Sequence, residues 1–193
     1  MSAEKKNGLS RKEPHIQDKE YMLEHTVLRI AGTVEESIVD GPGLRYVLFT
    51  QGCPHGCPGC HNPETHGFSG GRDVSLAWIL ADVEKNPITR GVTFSGGEPF
   101  WQPRPLLLLA RELRVRGYNL TAFSGYTYDQ ICADPEKKAL LDELDILVDG
   151  PFLLNERTLT LRFRGSRNQR ILDVPASLAQ GHAVLHELHD VEE

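Results

Sequence analysis

Arg45-Tyr46-Val47-Leu48-Phe49-Thr50-Gln51-Gly52-Cys53-Pro54-His55-Gly56-Cys57-Pro58-Gly59-Cys60 is a short apolar run that opens directly into a loop of thiols. The first six residues have the composition of a buried strand. In the loop, Gly52, Gly56 and Gly59 allow unusual backbone dihedrals, and Pro54 and Pro58 stiffen the turn between them. The spacing Cys-x3-Cys-x2-Cys lets three sulfurs converge on one face of a metal centre. Three thiolates can ligate three irons of a [4Fe–4S] cubane and leave the fourth iron open to a substrate. A zinc site is the alternative on spacing alone, with His55, His61 or His66 as fourth ligand. Zinc modules usually pair two ligand couples across an intervening segment, whereas here all three thiols share one loop.

The composition bounds the rest. The chain has 193 residues, enough for one domain with a real core and no need of disulfide staples. A net charge of −6 gives no basic face to a nucleic-acid backbone, so no nucleic-acid partner is expected. The apolar runs are too short to span a bilayer and the N-terminus has no signal-peptide core, so no membrane association and a reducing, cytoplasmic location are expected. Neighbouring thiols in such a chain share a metal more often than they bridge one another. The fourth cysteine, Cys132, reads as a small buried hydrophobe.

Along the chain, strands alternate with helices. Residues 1–22 are polar and without period, and read as a flexible N-terminal extension. The segment 181–193 carries His182, His186 and His189 among acids, and reads as a C-terminal tail. Between them, 23–180 forms one domain. Val74 to Asn86 reads as a helix capped by Ser75, with Leu76, Ile79, Leu80 and Val83 on one face. Gly91 to Ser95 is a strand ending in Gly96-Gly97-Glu98-Pro99. A helix from Pro103 or Pro105 turns Leu106, Leu109, Ala110 and Leu113 inward and stops at Gly117. Asn119–Phe123 and Asp145–Asp149 are further strands, with helical sequence through Ile131 and over Pro135–Leu144. Short strands are expected near Leu159–Phe163 and Arg170–Val174. Such alternation predicts an α/β fold on a parallel sheet. About four to six βα units are too few for a closed eight-stranded barrel, so an open, partial TIM-like barrel is expected. Chemistry on these sheets gathers at the C-terminal strand ends, where the cysteine loop, the Gly-Gly-Glu turn, Ser124-Gly125-Tyr126 and Asp149-Gly150-Pro151 all fall.

Cys53-x3-Cys57-x2-Cys60 after a first strand resembles the signature of the radical S-adenosylmethionine superfamily. Gly96-Gly97-Glu98-Pro99, one βα unit later, resembles its second motif. Val39-Asp40-Gly41-Pro42-Gly43-Leu44-Arg45 and Cys60-His61-Asn62-Pro63-Glu64-Thr65 are similar to segments of the activases of glycyl radical enzymes. Ser124-Gly125-Tyr126-Thr127, the run from Asp145 to Phe152 and Arg164-Gly165-Ser166-Arg167-Asn168-Gln169-Arg170 resemble one branch, the activating proteins of anaerobic (class III) ribonucleoside-triphosphate reductases. The likeness covers roughly Ile30 to Val174.

The resemblance implies a [4Fe–4S] cluster on Cys53, Cys57 and Cys60, and S-adenosyl-L-methionine chelated to the open iron. It implies that Gly96 and Gly97 receive the methionine end of the cosubstrate. Glu98 and Asp149 are candidates to approach it; His61 and the Gly59–Cys60 backbone are candidates for the adenine side. In the wider superfamily the residue before the third cysteine is usually aromatic; here it is Gly59. The implied activity is reductive cleavage of S-adenosylmethionine to a 5′-deoxyadenosyl radical that takes hydrogen from a glycine Cα. The implied partners are the large glycyl radical subunit of the reductase and a low-potential electron donor. No side-chain acid or base is required. Arg164, Arg167, Asn168 and Arg170 are candidates to dock the partner or hold the cosubstrate carboxylate. Other readings are activation of a different glycyl radical enzyme, small-molecule radical chemistry, or a zinc-binding module without catalysis.

Overall fold

The structure, a computed structural model, describes residues 16–158 and 160–191. Its centre is the expected strand β2 (Arg45–Thr50), followed in parallel register by β4 (Gly91–Gly96), β5 (Asn119–Phe123) and β6 (Ile146–Asp149). These strands are buried along almost their whole length, Tyr46, Leu48, Val92, Phe94, Leu120 and Leu147 packing into the main core, while Phe49, Ser95 and Phe123 alternate with them and face a cleft. Helix α2 (Leu76–Val83) lies between β2 and β4, α3 (Pro103–Val115) between β4 and β5, and α4 (Tyr128–Cys132) with α5 (Pro135–Leu141) between β5 and β6. The residues expected to face inward on α2 and α3 are all buried. Ser75 caps α2 by accepting from the Trp78 amide at 3.2 Å.

The sheet differs from a purely parallel one at its margins. Its order is β3-β1-β2-β4-β5-β6-β7, seven strands in an open array. β1 (Val27–Ser37) pairs antiparallel with both β2 and β3 (Arg72–Ser75), and β7 (Arg170–Asp173) runs antiparallel to β6. Four parallel strands thus form the core, at the lower end of the expected four to six units. The expected helix from Val74 begins two residues later because Val74 and Ser75 complete β3.

Three other expectations meet the structure at their edges. Residues 16–22, assigned by composition to the extension, belong to a helix, α1 (Ile16–His25), which packs against α2 and carries Leu23 onto the core. Residues 1–15 lie outside the described residues. The strand expected near Leu159–Phe163 is not formed as a strand: Leu159 is outside the described residues, 162–163 are a turn, and Phe163 takes a φ of 56°. The tail folds back as well. Helix α6 (Val174–Gln180) ends at Gly181, and the chain then returns along β7, with Leu185 bridging Leu172 and the His186 amide donating to the Ile171 carbonyl at 2.8 Å.

The bottom of the parallel core is tied by one buried cation. Arg45 donates to Thr93 Oγ1 at 2.6 Å, to the Val92 carbonyl, and to the side chain and carbonyl of Asn119. It thereby gathers the starts of β2, β4 and β5, leaving the opposite ends free for the loops that matter. Burial pulls the Arg45 guanidinium down to about 10, with Asp145 and Asp40 opposing the shift.

Candidate functional site

At the C-terminal ends of the parallel strands, the cysteine loop and the glycine turn are bonded to each other. The Gly97 amide donates to the Thr50 carbonyl at 2.8 Å and the Glu98 amide to the Gly52 carbonyl at 2.9 Å. On the far side, the amides of Gly52 and Cys53 donate to the carbonyls of Thr65 and His66. The loop is therefore held from two directions, while its thiols remain on the rim. Gly52, Gly56 and Gly59 all take positive φ, as the sequence requires of a loop this tight.

The glycine turn itself has no space for side chains. A Cβ on Gly97 would stand 2.5 Å from the Gly52 carbonyl oxygen, and one on Gly96, where φ is 91°, would stand 2.7 Å from the Thr50 nitrogen. Two bare backbone units thus border a cleft of about 280 Å³. Cys53, Cys57, Cys60, His61, Gly96 and Gly97 line it together, with Ser124, Gly150 and Phe152 from the neighbouring strand ends. The four rim loops expected to meet do meet. His61 leans on Phe152, ring centroids 5.1 Å apart.

All three cysteines are free and half-buried. Burial pushes the Cys53 thiol above its usual value, against hydrogen bonds from the His55 and Gly56 backbone that favour the thiolate. The Asn62 amide points at Cys60 Sγ from 3.4 Å, the kind of N–H···S contact that tunes a cluster sulfur. Among the described residues, no three His, Cys, Asp or Glu side chains gather tightly enough to hold a single metal ion. A cubane takes one thiolate on each of three irons, so its ligands need only line a common cavity. Three free thiols on one cleft, with bare backbone beside them, fit that group.

Gly59, Glu98 and Asp149 do not line the cleft. Glu98 is fully buried behind the turn, where it accepts from the amides of Phe100 (3.0 Å) and Gly125 (2.9 Å), from Ser124 Oγ (2.9 Å) and from His55 Nε2 (2.7 Å). It joins the glycine turn, the β5 loop and the cysteine loop through one carboxylate. Asp149 is buried too, clasped by Arg170 and by the Tyr128 amide at 2.7 Å, and so fixes the end of β6 to β7 and to the start of α4. Gly59 sits against Leu154.

The basic motif is dispersed in its roles. Arg170 serves Asp149, Asn168 donates to the Pro151 carbonyl, and Arg164 donates to the carbonyls of Gln169 and His189. Arg167 is exposed. Sequence reasoning missed the His55–Glu98 link, which joins residues 43 apart; the acidic residue in the Gly-Gly-Glu turn and the ring within the cysteine loop were its only signals. Cys132 is half-buried and packs against the main core, away from the cleft.

Comparison with known proteins adds to this geometry. The family described as a 4Fe–4S single cluster domain matches residues 39–172. An anaerobic ribonucleoside-triphosphate reductase-activating protein from Haemophilus influenzae is 34% identical over 142 residues, covering 69% of this chain and 90% of that protein. A pyruvate formate-lyase-activating enzyme from Clostridium pasteurianum is 36% identical over 131 residues, covering 63% of this chain and 55% of its own. Among solved structures, QueE from Escherichia coli overlays on 58% of each chain with a TM-score of 0.48 and 21% identity.

Proposed function

The chain belongs to the family of anaerobic ribonucleoside-triphosphate reductase-activating proteins, and from that premise we propose how its own residues perform activation. Cys53, Cys57 and Cys60, three free thiols on one cleft, would hold a [4Fe–4S] cluster there. When bound, the cluster supplies the electron that cleaves S-adenosylmethionine to methionine and a 5′-deoxyadenosyl radical. Gly96 and Gly97 present bare backbone to the methionine end, and the absence of a Cβ keeps that turn pressed against the backbone of Phe49, Thr50 and Gly52. His61 and Cys60 line the same cleft and are the groups assigned to the adenosine side, with Gly59 behind them against Leu154. Glu98 and Asp149 act from behind the walls: the first keeps the glycine turn and cysteine loop in register, the second anchors the β6 end.

The target is a glycine Cα–H in the large subunit of the anaerobic reductase. Hydrogen moves from that carbon to the 5′ carbon, giving 5′-deoxyadenosine and a glycyl radical, with no proton to place and no side-chain acid or base to supply. A low-potential donor in a reducing cytoplasm delivers the electron. No helix among the described residues is long and apolar enough to cross a membrane. The single observation that carries the reading is the convergence of three free thiols and the bare Gly96–Gly97 backbone on one cleft. The test is an anaerobic mixture with the cognate reductase, S-adenosylmethionine and dithionite, followed by EPR. A glycyl radical doublet on the reductase supports the reading. Its absence with cluster-loaded protein refutes it. Activation of pyruvate formate-lyase in place of the reductase would redirect it to the other activase branch.

A further inference from the structure

The segment between β6 and β7 carries a charge unlike that of the chain around it. Arg157-Thr158-Leu159-Thr160-Leu161-Arg162-Phe163-Arg164-Gly165-Ser166-Arg167 contains no acidic residue, in a chain whose net charge is −6. Elsewhere among the described residues, Arg29, Arg104, Arg111, Arg114, Arg116 and Arg170 each pair with a carboxylate, and the three that do not are scattered singly: Arg45 buried on Thr93 and Val92, Arg72 over the Trp78 ring and Arg90 on the Pro87 carbonyl. Among the described residues, Arg157, Arg162, Arg164 and Arg167 form no ion pair. Arg164 is engaged inward, on the Gln169 and His189 carbonyls. The other arginines are not: Arg157 and Arg167 are exposed, and Arg162 is half-exposed over the Phe163 ring.

The position of this segment gives the charge its meaning. The segment is pinched at its base, where Arg157 bridges Ser166 and the Arg167 amide donates to the Glu156 carbonyl at 3.0 Å. Gly165 and Gln169 line the cleft itself, and Arg167, two residues from each in sequence, lines the neighbouring hollow with Arg164, His189 and Asp190. At their foot, Leu154 is 51% exposed and lies over the cysteine loop, where a Cβ on Gly59 would meet its Cδ1 at 2.8 Å. Leu153 beside it is 36% exposed. A macromolecule bringing a Cα–H into the cleft passes an apolar step and then a cationic ridge.

We propose that Arg157, Arg162 and Arg167, with Leu153 and Leu154 at their base, dock an acidic surface of the protein substrate next to the glycine it delivers. This rests on the activase reading and specifies the partner's chemistry: carboxylates opposite the ridge, apolar side chains opposite the leucines. Complementary charge at an interface rim raises the association rate and fixes orientation. A nucleic acid fits less well, because the net charge of −6 repels a polyanion and the leucines offer it nothing.

The experiment uses the cluster-loaded chain carrying Arg157→Glu, Arg162→Glu and Arg167→Glu. Glycyl radical yield is measured by EPR against the concentration of the cognate reductase, and 5′-deoxyadenosine release is measured with no reductase present. The proposal expects the reductase concentration at half-maximal activation to rise about tenfold or more, with partner-free release within about twofold of native. Added salt should weaken the native chain toward the variant and leave the variant little changed. Arg167→Glu alone, at an exposed side chain, shows the same direction if the triple variant folds poorly. An unchanged half-maximal concentration in a folded variant overturns the proposal, as does loss of binding to a nucleic-acid probe instead. Failure of the native chain to activate the reductase while still releasing 5′-deoxyadenosine counts against the partner assignment, not against the cluster chemistry.

Discussion

Gly97 and Glu98 are adjacent in sequence and opposite in role. Gly97 matters for what it lacks. Gly97→Ala places a Cβ on the Gly52 carbonyl and forces the glycine turn away from the cysteine loop, a strain of about 1–3 kcal/mol. With all three thiols intact, iron and sulfide content should stay close to native while affinity for S-adenosylmethionine falls about tenfold, read from the change the cosubstrate causes in the EPR spectrum of the reduced cluster. Equal affinity would show that the cosubstrate does not approach this turn. Glu98 matters for what it holds. Glu98→Ala strands the amides of Phe100 and Gly125 and the Ser124 hydroxyl, and should destabilise the cluster-free protein by about 3 kcal/mol in urea unfolding. Glu98→Gln keeps an acceptor and should lose less than half as much. If Glu98→Ala unfolds like the native chain, the carboxylate is not the brace described. The thiols and the glycine turn were legible in the sequence because each is a contiguous motif. The His55–Glu98 link was not, because a contact across 43 residues leaves no local pattern.

Elements divide the same way. The inward faces of α2 and α3 could be read directly, since helical period and burial coincide. Strand direction could not: the composition of β7 does not distinguish parallel from antiparallel pairing, and β1 alternates only over Val27–Ile30 before its register shifts and residues 31–36 turn largely to solvent. The return of the tail along β7 was also hidden, because it depends on polar contacts rather than apolar period. His189 Nδ1 accepts from the Ile171 amide at 3.2 Å and its carbonyl accepts from Arg164. Burial holds the His189 imidazole below its usual value, aided by Arg164 and Arg170 and opposed by Asp190 and Asp149. A histidine depressed in the folded state binds its proton more readily when released, so the contact is stable above the ordinary imidazole pKa and is lost as pH falls through the depressed value. Hydrogen exchange at the Ile171 amide should therefore accelerate below about pH 6.5, relative to β5 amides. His189→Gln should remove that pH dependence. Uniform exchange across both strands on acidification would contradict it.

At the scale of the molecule, one sheet separates two tasks. Its lower end is locked by Arg45, and its upper end carries the loops. Arg45→Met would leave the Thr93 hydroxyl and the Val92 and Asn119 carbonyls without the donor they share and should cost about 3 kcal/mol of stability, read in urea unfolding. On the far side, Tyr46 and Lys85 both donate to the buried Asp82 at 2.6 Å. Burial alone would raise the Asp82 carboxyl, but these two hydrogen bonds bring it below the usual carboxylate range. A depressed acid contributes stability above its unfolded pKa and loses it as pH falls. Thermal unfolding should weaken from about pH 4 downward, and Asp82→Asn should flatten that decline. The open α/β class and the basic run ending at Arg170 were legible in the sequence, whereas the antiparallel margins, and the turning of Arg164 and Arg170 inward, required the folded chain.

Cluster-borne cleavage of S-adenosylmethionine is the step on which every proposed role of the cleft depends. The most direct measurement reconstitutes the chain anaerobically with iron and sulfide, adds dithionite and S-adenosylmethionine, and quantifies 5′-deoxyadenosine beside a variant carrying Cys53→Ala, Cys57→Ala and Cys60→Ala. The native chain should release 5′-deoxyadenosine and the variant none above background. Undiminished product from the variant, or no product from cluster-loaded native protein even with the reductase present, would contradict cluster-borne cleavage.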